Sequence, residues 1–127
     1  MNIFVLDDMR NIKSALGAVG LSSLITDDNI ICLCRPSKTS FEGKDFDSKI
    51  CCSLEPALDI IANNRKFDIW IIDSDLGLNE FGHQVYGYDF LLKVNQGYPD
   101  KLPRQLYCCS SNLEQKTAIL SLFDKLK

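Results

Sequence analysis

The chain is predicted to fold as an α/β domain on a doubly wound parallel sheet of about four or five strands. Three observations predict this. Short apolar runs, "NIFVL", "NIICLC", "FDIWIID" and "RQLYCC", recur along the chain, as expected for strands buried on both faces. Segments with apolar residues at helical spacing separate them, and that alternation implies parallel strands joined by right-handed crossovers. Finally, 127 residues suffice for one core and are too few for two, so residues 1–127 are expected to form a single domain.

Residues 2–6, closed by Asp7 and Asp8, read as the first strand. Residues 11–20 place Ile12, Leu16 and Val19 at helical intervals and end on Gly20, which suits a helix C-terminus. A second strand covers 29–34. Pro36 and the polar stretch that follows make 35–52 either a long loop or an extra strand or hairpin, with "KICC" as a short returning strand. Ser53 then caps a second helix over 54–64, with Glu55 and Pro56 in its first turn and Leu54, Leu58 and Ile61 on its apolar stripe. Residues 67–73 form the third and most apolar strand. A loop from Ser74 to Gly87 leads into a helix over 88–96. Residues 104–110 are the fourth strand, and 112–127 a final helix with Leu113, Ile119, Leu122 and Leu126 towards the core.

Composition narrows the partners. A net charge of −3 and a pI near 5.0 give no general attraction to nucleic acid or to anionic lipid, and no local basic run replaces it. The apolar start is too short for a signal peptide and no later run is long enough to span a membrane, so a cytoplasmic protein is expected. The six cysteines fall in neighbouring pairs, Cys32 and Cys34, Cys51 and Cys52, Cys108 and Cys109, inside apolar runs. Neighbours on a strand face opposite ways, so the two adjacent pairs are poorly placed to bond or to share zinc. With no C-x-x-C knuckle and a single histidine, His83, buried free thiols are expected. His83 itself reads as a loop or packing residue.

The acids carry the functional signal. In an open parallel sheet, ligands bind beyond the carboxyl ends of the strands, where strand order reverses. Asp7 and Asp8 follow the first strand, Asp73 and Asp75 the third, and Ser110, Ser111 and Asn112 the fourth. If the strand order is 2-1-3-4, the first and third strands are neighbours, and a spacing of about 5 Å brings Asp7 or Asp8 close to Asp73. Two ionised carboxylates about 4 Å apart repel by on the order of 4 kcal/mol at an effective dielectric near 20. That repulsion is relieved by a proton or by a hard cation, for which oxygen-only ligands favour magnesium. Asp7, Asp8, Asp73 and Asp75 are therefore candidate metal ligands, and the Ser110 hydroxyl is placed to meet a phosphate oxygen. Taken singly, each residue has a plainer role: Asp8 can cap the first helix, Asn112 or Ser111 the last and Asp89 the third, while Asp75 and Gly77 can shape a turn.

The runs "FVLDD", "IWIID" and "LYCCS" resemble response-regulator receiver domains, of flavodoxin-like fold. The likeness implies an acidic magnesium-binding pair at Asp7 and Asp8, a phosphoryl acceptor at Asp73 and a hydroxyl at Ser110. A standard receiver has a fifth strand and helix, with a lysine before that last helix, and this chain is expected to lack that unit. The motifs "LDDMR", "DSDLG", "GYDFL" and "SSN" are similar, in order, to a receiver-like group predicted to process cyclic phosphates. By that likeness the catalytic residues are Asp73 and Ser110, and a phosphate-containing small molecule or phosphodonor is bound by Arg10, Ser110 and Asn112, with Mg2+ as cofactor. That group often carries histidine where Ser74 and Cys109 stand here. "IIDSDLG" and "CCSSN" also look like motifs of haloacid dehalogenase-type phosphatases, whose acidic metal motif comes last rather than first. A different class of function remains open: a degenerate receiver-like module that only binds a protein partner, through its sheet edge or last helix.

Overall fold

The computed structural model describes residues 1–36 and 52–126. The returning strand, Cys51 and most of the expected loop or hairpin at 35–52 lie outside the described residues.

Strand β1 (Asn2–Leu6) leads to helix α1 (Ile12–Ala18), strand β2 (Ile30–Cys34), helix α2 (Glu55–Asn63) and strand β3 (Ile69–Ile72). A short hairpin of β4 (Asp75–Leu78) and β5 (Gln84–Tyr86) follows, then helix α3 (Gly87–Gly97), strand β6 (Gln105–Cys108) and helix α4 (Leu113–Leu126). The sheet is four parallel strands in the order β2-β1-β3-β6, which meets the 2-1-3-4 condition on which the neighbouring of the acids rested. Two apolar strands occupy its centre because only they are covered on both faces.

Alternation along the strands sorts their side chains into two cores. Phe4, Leu6, Trp70, Ile72, Leu106 and Cys108 face α2, α3 and α4. Ile3, Val5, Ile69 and Ile71 face the other way, against Ala15 and Leu16 of α1. The larger core is centred on an aromatic cluster in which Phe4 meets Phe67, Trp70 and Phe90 at ring-centroid distances of 5.4, 5.9 and 5.7 Å. These are the offset and edge arrangements that ring quadrupoles favour.

Asn11 caps α1, its Oδ1 accepting from the Ser14 N–H at 2.8 Å. At the other end Gly20 has φ +75°, and the Gly20 and Leu21 N–H groups reach back to the carbonyls of Gly17 and Leu16. This paired closure needs a left-handed residue just past the helix, as the sequence predicts. Gly20→Ala should cost about 1 kcal/mol by forcing a side chain into that conformation, read as a lower Tm in thermal melts.

Three local expectations are corrected. The stretch after Asp73 is an antiparallel hairpin, not a loop: its turn is closed by the Asn79 N–H to His83 and Gly82 N–H to Asn79 backbone bonds with Gly82 at φ +76°, and Asn79 Oδ1 also takes the N–H groups of Phe81 and His83. His83 is exposed at that turn. Ser53 sits one residue before the true N-cap, Leu54, and its hydroxyl accepts from the Glu55 N–H at 3.3 Å. Leu113 is 73% exposed at the start of α4, whose inner face is made by Ile119 and Phe123, with Leu122 and Leu126 partly buried beside them. The described cysteines are all free, as expected, with Cys32 half-buried and Cys34, Cys52, Cys108 and Cys109 buried. Among the described residues, no helix is long and apolar enough to cross a membrane.

Candidate functional site

The strands end level with one another. Cys34, Leu6, Ile72 and Cys108 stand in register across the sheet, and the ladder runs one residue further: the Asp7 N–H donates to Cys34, Asp73 to Leu6 and Cys109 to Ile72. Asp7, Asp73 and Cys109 therefore leave neighbouring strands in a single row. By the two-residue period of a strand their side chains share the side of Val5, Ile71 and Tyr107. Convergence of Asp7 with Asp73 follows from sheet register, with no contribution from loop geometry.

Asp8 completes the group. Asp7, Asp8 and Asp73 each offer a carboxylate oxygen, and these oxygens all lie within 4.8 Å of one another. Such a cluster can hold a metal ion. Asp75, the fourth ligand expected from sequence, is not part of it. It opens β4 opposite Tyr86, and its buried Oδ1 has no hydrogen-bond partner among the described residues.

Asp7 is fully buried. Its Oδ1 accepts the Met9 and Arg10 N–H groups at 2.9 and 2.8 Å, and its Oδ2 receives the Cys109 thiol at 3.4 Å. Burial, reinforced by the charge of Asp7, pushes the Cys109 thiol up to about 12. It therefore stays protonated and can donate. Arg10 reaches across the row, with Nη1 at 3.3 Å from Asp7 Oδ2, 3.4 Å from Asp73 Oδ2 and 3.3 Å from the Cys109 carbonyl.

Asp73 is 8% exposed, and burial first, then the negative charge of Asp7, pushes its carboxyl up to about 7; Arg10 works against this and Asp8 adds to it. The repulsion expected from sequence is thus present but second to burial, and the Arg10 guanidinium offsets part of both at Asp73. Beside it, the hydroxyls of Ser110 and the fully buried Ser74 are hydrogen-bonded to each other, and Ser110 Oγ also accepts the Asn112 N–H at 2.9 Å. Asn112 in turn caps α4, its Oδ1 accepting from Gln115 at 3.2 Å. The cap uses only the acceptor of that amide; its Nδ2 donor is the group an anion needs.

Three residues matter here that position-by-position reading passed over. Cys109 and Ser74 stood out only as departures from a motif, yet they bond to Asp7 and Ser110. Gly87 is the third. Its N–H donates to the Ser74 carbonyl at 2.7 Å, and a Cβ at this position would lie 2.5 Å from the Asp73 carbonyl oxygen. The start of α3 is thus pressed against the backbone that presents Asp73. Asp89 holds that start by accepting the Tyr86 N–H at 3.0 Å, which makes it a cap rather than a site residue.

No family model, curated protein or solved structure matches this chain.

Proposed function

We propose that the chain is a receiver-like, flavodoxin-like domain whose acidic rim holds magnesium and handles a phosphoryl or cyclic-phosphate group. The observation that carries this reading is the meeting of Asp7, Asp8 and Asp73 within 4.8 Å at the carboxyl ends of the two central strands. Three carboxylates at one point, with a guanidinium already drawn to two of them, fit a small hard cation. Asp7, Asp8 and Asp73 would hold it, and when bound it would neutralise charge on phosphate oxygens.

The remaining chemistry belongs to the chain. Asp73, once ionised, is the carboxylate best placed to accept a phosphoryl group, because the sheet delivers it to the rim while burial keeps it poorly solvated. Ser110 accepts the Asn112 N–H, so its own proton, or that of Ser74, is available to a phosphate oxygen. Arg10 supplies a permanent positive charge for the same anion. Ser110→Ala should lower the rate of any phosphoryl or cyclic-phosphate reaction on the order of 100-fold while leaving magnesium binding intact.

Thermal melts with and without millimolar magnesium, at about pH 8 and about pH 5.5, test the reading. Magnesium should raise the Tm of the wild type, more at the higher pH where Asp73 is ionised, and not that of Asp73→Asn. Magnesium-dependent phosphorylation by a small phosphodonor, or opening of a cyclic phosphate, should follow the same pattern. Absence of any magnesium effect on a folded wild-type protein sinks the proposal.

A second reading, a module that binds only a protein partner, is favoured by Leu113, 73% exposed at the start of α4, and by β6, which is an edge of the sheet among the described residues. Under it, Asp73→Asn leaves partner binding unchanged and Leu113→Ser weakens it in a pull-down.

A further inference from the structure

The positive charge in the middle of the acid cluster belongs to the chain itself. One nitrogen of Arg10 bridges Asp7 and Asp73, two of the three acids whose oxygens gather there. Its three contacts, at 3.3, 3.4 and 3.3 Å, lie at the long end of the hydrogen-bond range and come from Nη1 alone. An arginine settled in a permanent pair more often presents two nitrogens to one carboxylate. A third of its side chain, 34%, is open to solvent. Meanwhile its backbone is pinned, since the Arg10 N–H donates to Asp7 Oδ1 at 2.8 Å. The guanidinium can leave the cluster while its stem remains tied to the rim.

Resting on the function proposed above, we propose that Arg10 is a built-in counter-cation, seated on Asp7 and Asp73 until a divalent cation displaces it and frees it to clamp the accompanying phosphate. Both cations draw on the carboxylates of Asp7 and Asp73 and repel each other, so they are alternatives on these acids. The displaced guanidinium stays within a side chain's length of the cluster, where the one new anion is the phosphate. Metal and phosphate binding are then positively coupled, and each tightens the other by the same factor. Arg10 thereby makes the pocket selective for a metal–phosphate pair over either ion alone.

The test is calorimetric titration with magnesium at about pH 8, where Asp73 is ionised, with and without inorganic phosphate, on the wild type, Arg10→Gln and Arg10→Lys. Arg10→Gln is expected to bind magnesium on the order of tenfold more tightly than wild type and to lose the tightening by phosphate. Arg10→Lys, which keeps the charge, should bind magnesium nearer to the wild-type level. Arg10→Met serves as a second neutral variant if the glutamine form does not fold. Equal or weaker magnesium binding by a folded neutral variant overturns the exchange, and equal tightening by phosphate in both proteins overturns the clamp. If neither wild type nor neutral variant binds magnesium, the proposed function itself falls, which separates that failure from failure of the exchange alone.

Discussion

Replacing Gly87 with alanine is expected to destabilise the protein by about 3 kcal/mol and to abolish its thermal response to magnesium together. The added methyl would stand 2.5 Å from the Asp73 carbonyl oxygen and 3.3 Å from Ile119 Cδ1. Neither neighbour can yield cheaply. The carbonyl belongs to backbone held by the Asp73 N–H bond to Leu6 at 2.8 Å, and Ile119 is fully buried in α4. Relief therefore requires α3 to move away from the sheet, which strains the Gly87 to Ser74 hydrogen bond and shifts the segment that presents Asp73 and Ser74. Guanidinium denaturation and magnesium-dependent melts, run on the same protein, check both halves. A Gly87→Ala protein with wild-type stability and a wild-type magnesium shift would show that the close approach is unimportant.

Asp73→Asn is expected to stabilise the metal-free protein at about pH 8, by on the order of 2 kcal/mol and several degrees in Tm, while removing every effect of magnesium. The sign follows from linkage. The carboxyl of Asp73 is pushed from 3.8 up to about 7 in the fold. The folded state thus holds this proton more tightly than the unfolded chain does. Between those two values the native protein carries the extra proton, so stability falls as pH rises through the window; above about 7 the full cost of the ionised, buried group is present. Asparagine carries no such cost and should flatten the wild-type decline between about pH 4 and pH 7. Urea denaturation across that range, without metal, checks it; the same pH slope in both proteins would remove Asp73 as its source. Stability given up at this one carboxylate, and recovered by a ligand, is what a binding site carved from a core strand would show.

The layout of the domain was largely legible from periodicity. Apolar runs such as "IWII" are buried on both faces because a parallel sheet between helix layers leaves no wet face. Gly20 was readable as a helix end because only a residue free to adopt positive φ closes that helix. Elements that depend on weaker patterns were not. The hairpin of β4 and β5 has strands of four and three residues, too short to show an alternation, and its turn is a longer one closed by the Asn79 N–H to His83 and Gly82 N–H to Asn79 bonds, by Gly82 at φ +76° and by the Asn79 side chain, not a two-residue Asn-Gly turn. Leu113 looked like a core residue, but it stands in the first turn of α4, before the helix reaches the cluster that buries Ile119 and Phe123.

By itself the amino-acid sequence determined that acids and hydroxyls end the apolar runs, because that is a matter of local order: strands stop where polar residues begin. Right-handed crossovers left 2-1-3-4 as an order to assume, and only the folded sheet settles it, with the first and third runs as neighbours. Which of those groups meet was decided only in three dimensions. Register across the sheet aligns Asp7, Asp73 and Cys109, whereas Asp75, two residues beyond Asp73, is carried off into the hairpin. A shift of one residue in pairing reverses every side chain, so contacts at a strand end depend on hydrogen bonds made along its whole length.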